Sequence, residues 1–127
     1  MRLCAVYPQE ARQMILRIKR KFSAAHRLPD YQGDCANLHG HTWYAVFEIE
    51  GPVMPSGMVY DFKQLKPLLE SVLPDHKYLN DFIPNPTAEN ICHYLFEKAQ
   101  AALAVKNLNL KTLEVWENED AAAIIRK

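Results

Sequence analysis

The chain has 127 residues, of which 49% are hydrophobic, 15 are basic and 15 acidic, so its formal net charge is zero. That length suits one domain with a modest core, and the charge balance argues against nucleic acid or an anionic membrane as the main partner. No apolar run is long enough to span a bilayer, the opening Met1-Arg2-Leu3-Cys4-Ala5-Val6-Tyr7-Pro8 lacks a signal peptide's apolar core, and three cysteines with no CxxC pair fit a reducing cytoplasm.

The expectation is a single domain over residues 1–127, with 1–12 a leader in which nothing is assigned to Cys4. From Met14 the pattern alternates. Met14, Leu16, Ile18, Phe22 and Ala24 share one parity, and Arg17, Lys19, Lys21 and Ser23 the other, which predicts a strand with one wet side. Arg20 interrupts the apolar parity, and His26 continues it. Leu28-Pro29-Asp30-Tyr31-Gln32-Gly33-Asp34 is rich in turn formers and breaks the strand.

Next comes Cys35-Ala36-Asn37-Leu38-His39-Gly40-His41, followed by Trp43, Ala45, Phe47 and Ile49 at every second position. Side chains two apart on a strand share a face, so His39 and His41 project together on the apolar side. A hairpin return would bring His26 beside them. Three histidines leave the fourth position of a tetrahedral Zn²⁺ open, the catalytic arrangement; with Cys35 as fourth ligand the site would be closed and structural. Spacing alone leaves both readings open.

Gly51-Pro52 and Pro55-Ser56-Gly57 mark a turn, and Met58-Val59-Tyr60 is a short strand candidate. Asp61 reads as an N-cap, and Phe62, Leu65, Leu68, Leu69, Val72 and Leu73 as a helical stripe that contains Pro67. Asp75-His76 follows in a loop, where the carboxylate can orient the ring. Thr87 is a second N-cap, with Ile91, Leu95, Ala99, Ala102 and Leu103 as the stripe; Cys92 and His93 read as packing or surface residues. Lys111, Leu113, Val115 and Glu117 then share one strand parity, with Leu110, Thr112, Glu114 and Trp116 on the other, and Ala121 to Arg126 forms a last strand. A carboxylate beside an apolar face needs a partner, and a ligand with adjacent N–H donors would serve Glu117. The element order gives an α+β fold: an antiparallel four-stranded sheet with two helices on one face.

Six pieces now stand in order: Phe22-Ser23-Ala24-Ala25-His26; Cys35 with His39-Gly40-His41; Val59-Tyr60-Asp61-Phe62; Asp75-His76 with Tyr78-Leu79-Asn80-Asp81; Asn85-Pro86-Thr87 with Glu89-Asn90; and Glu117-Asn118. Together they resemble the 6-pyruvoyltetrahydropterin synthase and 6-carboxytetrahydropterin synthase family, from about Ile15 to the C-terminus. The resemblance implies a tunnelling fold (T-fold), with trimers forming a barrel of strands and two trimers stacking as a hexamer. The three-residue gap between Cys35 and His39 resembles the bacterial 6-carboxy-5,6,7,8-tetrahydropterin synthase of queuosine biosynthesis. That implies conversion of 7,8-dihydroneopterin triphosphate to 6-carboxytetrahydropterin with loss of acetaldehyde and triphosphate.

By the same resemblance His26, His39 and His41 hold Zn²⁺, Cys35 abstracts a proton, Asp75 and His76 act as acid or base, and Glu117 anchors the pterin ring. Cys35 and His76 are expected to come from neighbouring chains. Lys19, Lys21 and Arg27, near the first strand's end, are candidates for the triphosphate. Trp116-Glu117-Asn118 departs from relatives that place a threonine after the glutamate. The alternatives are a 6-pyruvoyltetrahydropterin synthase, an aldolase-like member, a zinc hydrolase using metal-bound water, and a non-enzymatic module built on structural zinc.

Overall fold

The computed structural model describes residues 12–127, so the expected leader, Cys4 included, lies outside the described residues except for Arg12. Two long strands dominate: β1 (Gln13–His26) and β2 (His39–Pro52). They pair antiparallel without a slip, from Gln13 opposite Pro52 to His26 opposite His39. Alternation sets the register, since a one-residue shift would turn Trp43, Phe47 and Ile49 out to water.

Helix α1 (Phe62–Glu70) starts where the side chain of Asp61 accepts from the Lys63 N–H, at 2.9 Å. It buries Leu65 and Leu69, and it is short enough that Pro67 only removes one backbone bond near its end. Arg20, the odd residue on the apolar parity of β1, reaches across to Glu70 of this helix at 2.8 Å. Helix α2 (Ala88–Ala104) is capped by Thr87, which accepts from Asn90 N–H, and it buries Ile91, Cys92, Leu95, Phe96, Ala99 and Leu103. Both helices join one hydrophobic cluster with Ile18, Phe22, Trp43, Phe47, Ile49, Leu113 and Val115, and so cover one face of the sheet.

The sheet has five strands, not the expected four. Its order is β3-β1-β2-β4-β5, with β3 (Lys77–Tyr78), β4 (Asn109–Trp116) and β5 (Ala122–Arg126). The extra strand is β3, which runs parallel to Ala24–Ala25 of β1, so the sheet is mixed though largely antiparallel. A two-residue ladder has no period to read. Met58-Val59-Tyr60 is not a strand: it lies in a loop, where Val59 packs as a buried plug beside Gly51. A bulge also revises the parity of β4. Glu48 faces Thr112 but Ile49 faces Leu110, so Lys111 is the extra residue and Leu110 turns to the core with Leu113.

Candidate metal centre

The hairpin register brings the histidines together. His26 sits opposite His39, and Ala24 opposite His41. All three rings lie on the helix-covered face at one end of the sheet, with centroids 4.5 Å (His26–His39), 5.3 Å (His26–His41) and 4.9 Å (His39–His41) apart. One nitrogen from each lies within 4.8 Å of the others. Trp43, fully buried, forms the floor: it meets His26 and His41 edge to face, and its indole N–H donates to the Ala24 carbonyl at 3.2 Å.

The backbone fixes which nitrogen each ring offers. His26 Nδ1 lies 2.7 Å from the Pro86 carbonyl and His39 Nδ1 2.7 Å from the Asn37 carbonyl. A carbonyl can only accept, so each Nδ1 carries the proton and each Nε2 of the neutral ring keeps its lone pair for a metal. Nε2 of His26 and Nε2 of His41 are buried and have no hydrogen-bond partner. Burial lowers the pKa of His26 most, with His39 and His41 adding to the fall and the Pro86 carbonyl opposing it. For His41, burial again leads, with Glu117 pulling the other way. Two buried ring nitrogens without partners, one of them carrying a lone pair set by the Pro86 carbonyl, fit a cation and suit little else.

Glu117, just past β4, arrives on the same face. Its Oε1 is 3.8 Å from His26 Nε2 and 3.7 Å from His41 Nε2. The turn that holds it is built by Asn118, whose side-chain oxygen accepts from the Asp120 and Ala121 N–H groups at 2.8 and 3.1 Å. Asn118, the position singled out in the sequence, is therefore the turn builder beside the glutamate.

Cys35 lies on a single 3₁₀ turn (Asp34–Ala36), half-buried, its carbonyl accepting from Leu28 N–H at 2.9 Å. The ligand cluster among the described residues holds the three histidines without it. Asp75 and His76 stand across β1 from β2. Asp75 Oδ1 accepts from Ser23 N–H at 2.8 Å and Oδ2 lies 3.0 Å from His76 Nδ1. That backbone bond is the main reason the Asp75 carboxyl is held below its ordinary range. The His76 side chain is 83% exposed, and its backbone has φ 58. In this chain the pair faces solvent rather than the histidines. Lys19 and Lys21 have the opposite parity to His26, so they point from the other face of the sheet, where Lys19 lies over the Tyr44 ring. Arg27 stays next to the site, its backbone clamped by Asn80 through bonds of 3.0 and 2.9 Å.

Sequence reasoning missed the carbonyls of Pro86 and Asn37 and the N–H of Ser23. Backbone groups carry no residue signature, although the rigid Asn85-Pro86-Thr87 turn hinted at a fixed carbonyl. Cys92 is buried, its thiol pushed up to about 11 by desolvation, and His93 lies on the surface near Glu97, both as expected.

The sequence profile of the 6-pyruvoyl tetrahydropterin synthase family matches residues 15–127. A protein of Archaeoglobus fulgidus, provisionally named a 6-carboxy-5,6,7,8-tetrahydropterin synthase, is 43% identical over 117 residues, which is 91% of this chain and 97% of that one. The dihydroneopterin monophosphate aldolase of Pyrococcus furiosus is 34% identical over 104 residues, 80% of this chain and 88% of its own. The solved structure of Caenorhabditis elegans 6-pyruvoyl tetrahydropterin synthase superposes with a TM-score of 0.79 at 27% identity, covering 92% of this chain and 97% of that one. The fold is thus the expected T-fold.

Proposed function

We propose the reaction from the premise that this chain belongs to the 6-pyruvoyl tetrahydropterin synthase family: it is a zinc-dependent 6-carboxy-5,6,7,8-tetrahydropterin synthase. It converts 7,8-dihydroneopterin triphosphate to 6-carboxytetrahydropterin, acetaldehyde and triphosphate, as a cytoplasmic step of queuosine biosynthesis. The observation that carries the enzymatic reading is the three-histidine cluster, formed without Cys35 and with two buried, unpartnered Nε2 atoms. A closed structural site would enlist the thiol; an open one leaves it for chemistry.

A bound Zn²⁺ would supply a Lewis acid that acidifies the hydroxyls of the substrate side chain. His26, His39 and His41 hold it, and the Pro86 and Asn37 carbonyls orient the first two. Cys35 takes the proton from the side-chain carbon, with the half-exposed 3₁₀ turn giving it access. Asp75 holds the His76 ring, which passes protons on the opposite side of the substrate. Glu117 accepts the ring N–H and amino donors of the pterin through its two oxygens. The solvent-facing Asp75–His76 pair supports a site shared between chains, with Cys35 and His76 serving a neighbour's histidines in a hexamer of two stacked trimers. We take residues 1–127 as a single domain, with 1–12 as a leader.

The higher identity of the Archaeoglobus fulgidus protein supports the carboxy product. The Pyrococcus furiosus likeness supports a second reading, in which the side chain is cleaved in an aldolase step on the same pterin. Incubating zinc-loaded protein with 7,8-dihydroneopterin triphosphate and following pterins by mass spectrometry separates them. Carboxytetrahydropterin with acetaldehyde, lost in Cys35→Ala while zinc stays bound, is the expected result. A pyruvoyl or cleaved product moves the chain to another branch. Turnover unaffected by Cys35→Ala points to metal-bound water as the working group. Loss of zinc in that variant restores the structural site.

A further inference from the structure

The Glu117 carboxylate faces the Nε2 atoms of His26 and His41 across a gap too long for a hydrogen bond. The Pro86 carbonyl already takes the proton of His26 on Nδ1, so the neutral ring has no donor to offer Oε1. His41 Nε2 is likewise buried without a partner. The His26 lone pair and a carboxylate oxygen 3.8 Å away repel one another unless a cation lies between them, and His41 Nε2 adds a second unpartnered nitrogen 3.7 Å from the same oxygen. Donors bound to one tetrahedral zinc at about 2.0–2.2 Å sit about 3.3–3.6 Å from each other. The gaps to His26 and His41 exceed that by only a few tenths of an ångström, a distance that a glutamate side chain covers by small rotations.

We infer that Glu117 is itself a donor to the metal: with no substrate bound, its Oε1 completes the set formed by the Nε2 atoms of His26, His39 and His41. The inference rests on the metal reading of the three histidines and deepens the role given to Glu117. When a pterin enters, the carboxylate exchanges the cation for ring N–H donors and frees the fourth position for the substrate's hydroxyls. No covalent bond is made or broken in this exchange. Glu117 is 34% exposed, which leaves the side chain room to turn. Its backbone stays fixed, since its N–H donates to the Ala121 carbonyl at 3.2 Å and Asn118 braces the turn.

The test is a zinc-affinity titration against a chromophoric chelator, without any pterin, on the full-length protein and on Glu117→Gln and Glu117→Asp. The expected result is about 10- to 100-fold weaker zinc binding in Glu117→Gln. Glu117→Asp, which keeps the charge but draws the carboxylate back by one methylene, is also expected to weaken it. The visible bands of the Co²⁺-loaded protein should shift between wild type and both variants. Unchanged affinity in Glu117→Gln overturns the inference. So does loss in Glu117→Gln with full affinity and unaltered Co²⁺ bands in Glu117→Asp, because the carboxylate would then act by charge alone. Since no pterin is present, these ratios decide the point whatever the protein turns over. A wild-type chain that binds no metal would instead bring down the metal reading itself.

Discussion

His26 and His39 are register partners at the last rung of the β1–β2 hairpin, and their rings lie 4.5 Å apart. Two pairs back, His41 lies opposite Ala24, whose carbonyl accepts from the indole N–H of the Trp43 floor. The metal site is thus a property of one hairpin end. The residue just past β4 adds a carboxylate, and two loop carbonyls set the tautomers of His26 and His39.

The three histidines are placed to bind a metal ion, but they do not contribute alike to the fold. His26 is buried and bonded to the Pro86 carbonyl, so His26→Ala leaves a cavity and an unpaired acceptor. It should cost the metal-free protein about 2–4 kcal/mol. His41 makes no hydrogen bond through its buried nitrogen, and His41→Ala should cost about 1 kcal/mol or less. Both should lose tight metal binding. Urea denaturation of the metal-free proteins, with metal content measured separately, checks the contrast; equal destabilisation would contradict it.

Acid should loosen the metal-free protein. His26 and His41 are both lowered from the ordinary 6.5, chiefly by burial. As pH falls, the unfolded chain therefore takes up protons before the folded one does. The stability these rings contribute is complete above the ordinary value and is lost as pH falls from there through their lower folded values. The urea midpoint should fall between about pH 7.5 and pH 5.5, and less steeply in His41→Ala. Metal affinity should decline in the same direction, because the metal competes with protons for the rings. A flat midpoint would speak against buried neutral histidines.

His76 sits in the left-handed region at φ 58, where a Cβ is unfavourable by about 1–2 kcal/mol. Its N–H donates to the Ser23 carbonyl at 2.6 Å, tying the strained residue to β1 just before β3 begins. Strain kept at an exposed histidine beside a fixed carboxylate suits a working residue. His76→Gly should be more stable than His76→Ala by about 1 kcal/mol, and both should lose most turnover. Thermal denaturation at one protein concentration, paired with the pterin assay, tests this. An alanine variant as stable as the glycine one would remove the strain argument.

Gly51 illustrates how closely the core meets the far end of the hairpin. A Cβ there would come within 2.8 Å of both Leu108 Cδ2 and Val59 Cγ1. Both side chains are buried, so neither can swing into water. Gly51→Ala should destabilise by about 1–3 kcal/mol without altering metal content. A midpoint equal to wild type would mean that the Val59 loop yields freely.

Much of this was legible in the sequence because it is local. Alternation along β1 and β2 put His26, His39 and His41 on the apolar face, since parity on a strand depends only on counting residues. Asp61 and Thr87 announced their helices because a cap acts within three residues of itself. The six motifs then identified the family, which the match over residues 15–127 bears out. What the chain's pattern could not carry was non-local. Strand β3 exists only because Lys77 and Tyr78 meet the edge of β1, and the bulge at Lys111 only because β4 must bury both Leu110 and Leu113 against β2. Met58–Tyr60 has a strand's composition but makes no ladder, so it folds as a loop. The Pro86 and Asn37 carbonyls that leave Nε2 of His26 and His39 free are backbone groups common to every residue type. The 3.7–3.8 Å approach of Glu117 to two histidines joins strands some 75 to 90 residues apart in the chain. Residue type and parity offered the donors; only long-range packing could decide which of them meet.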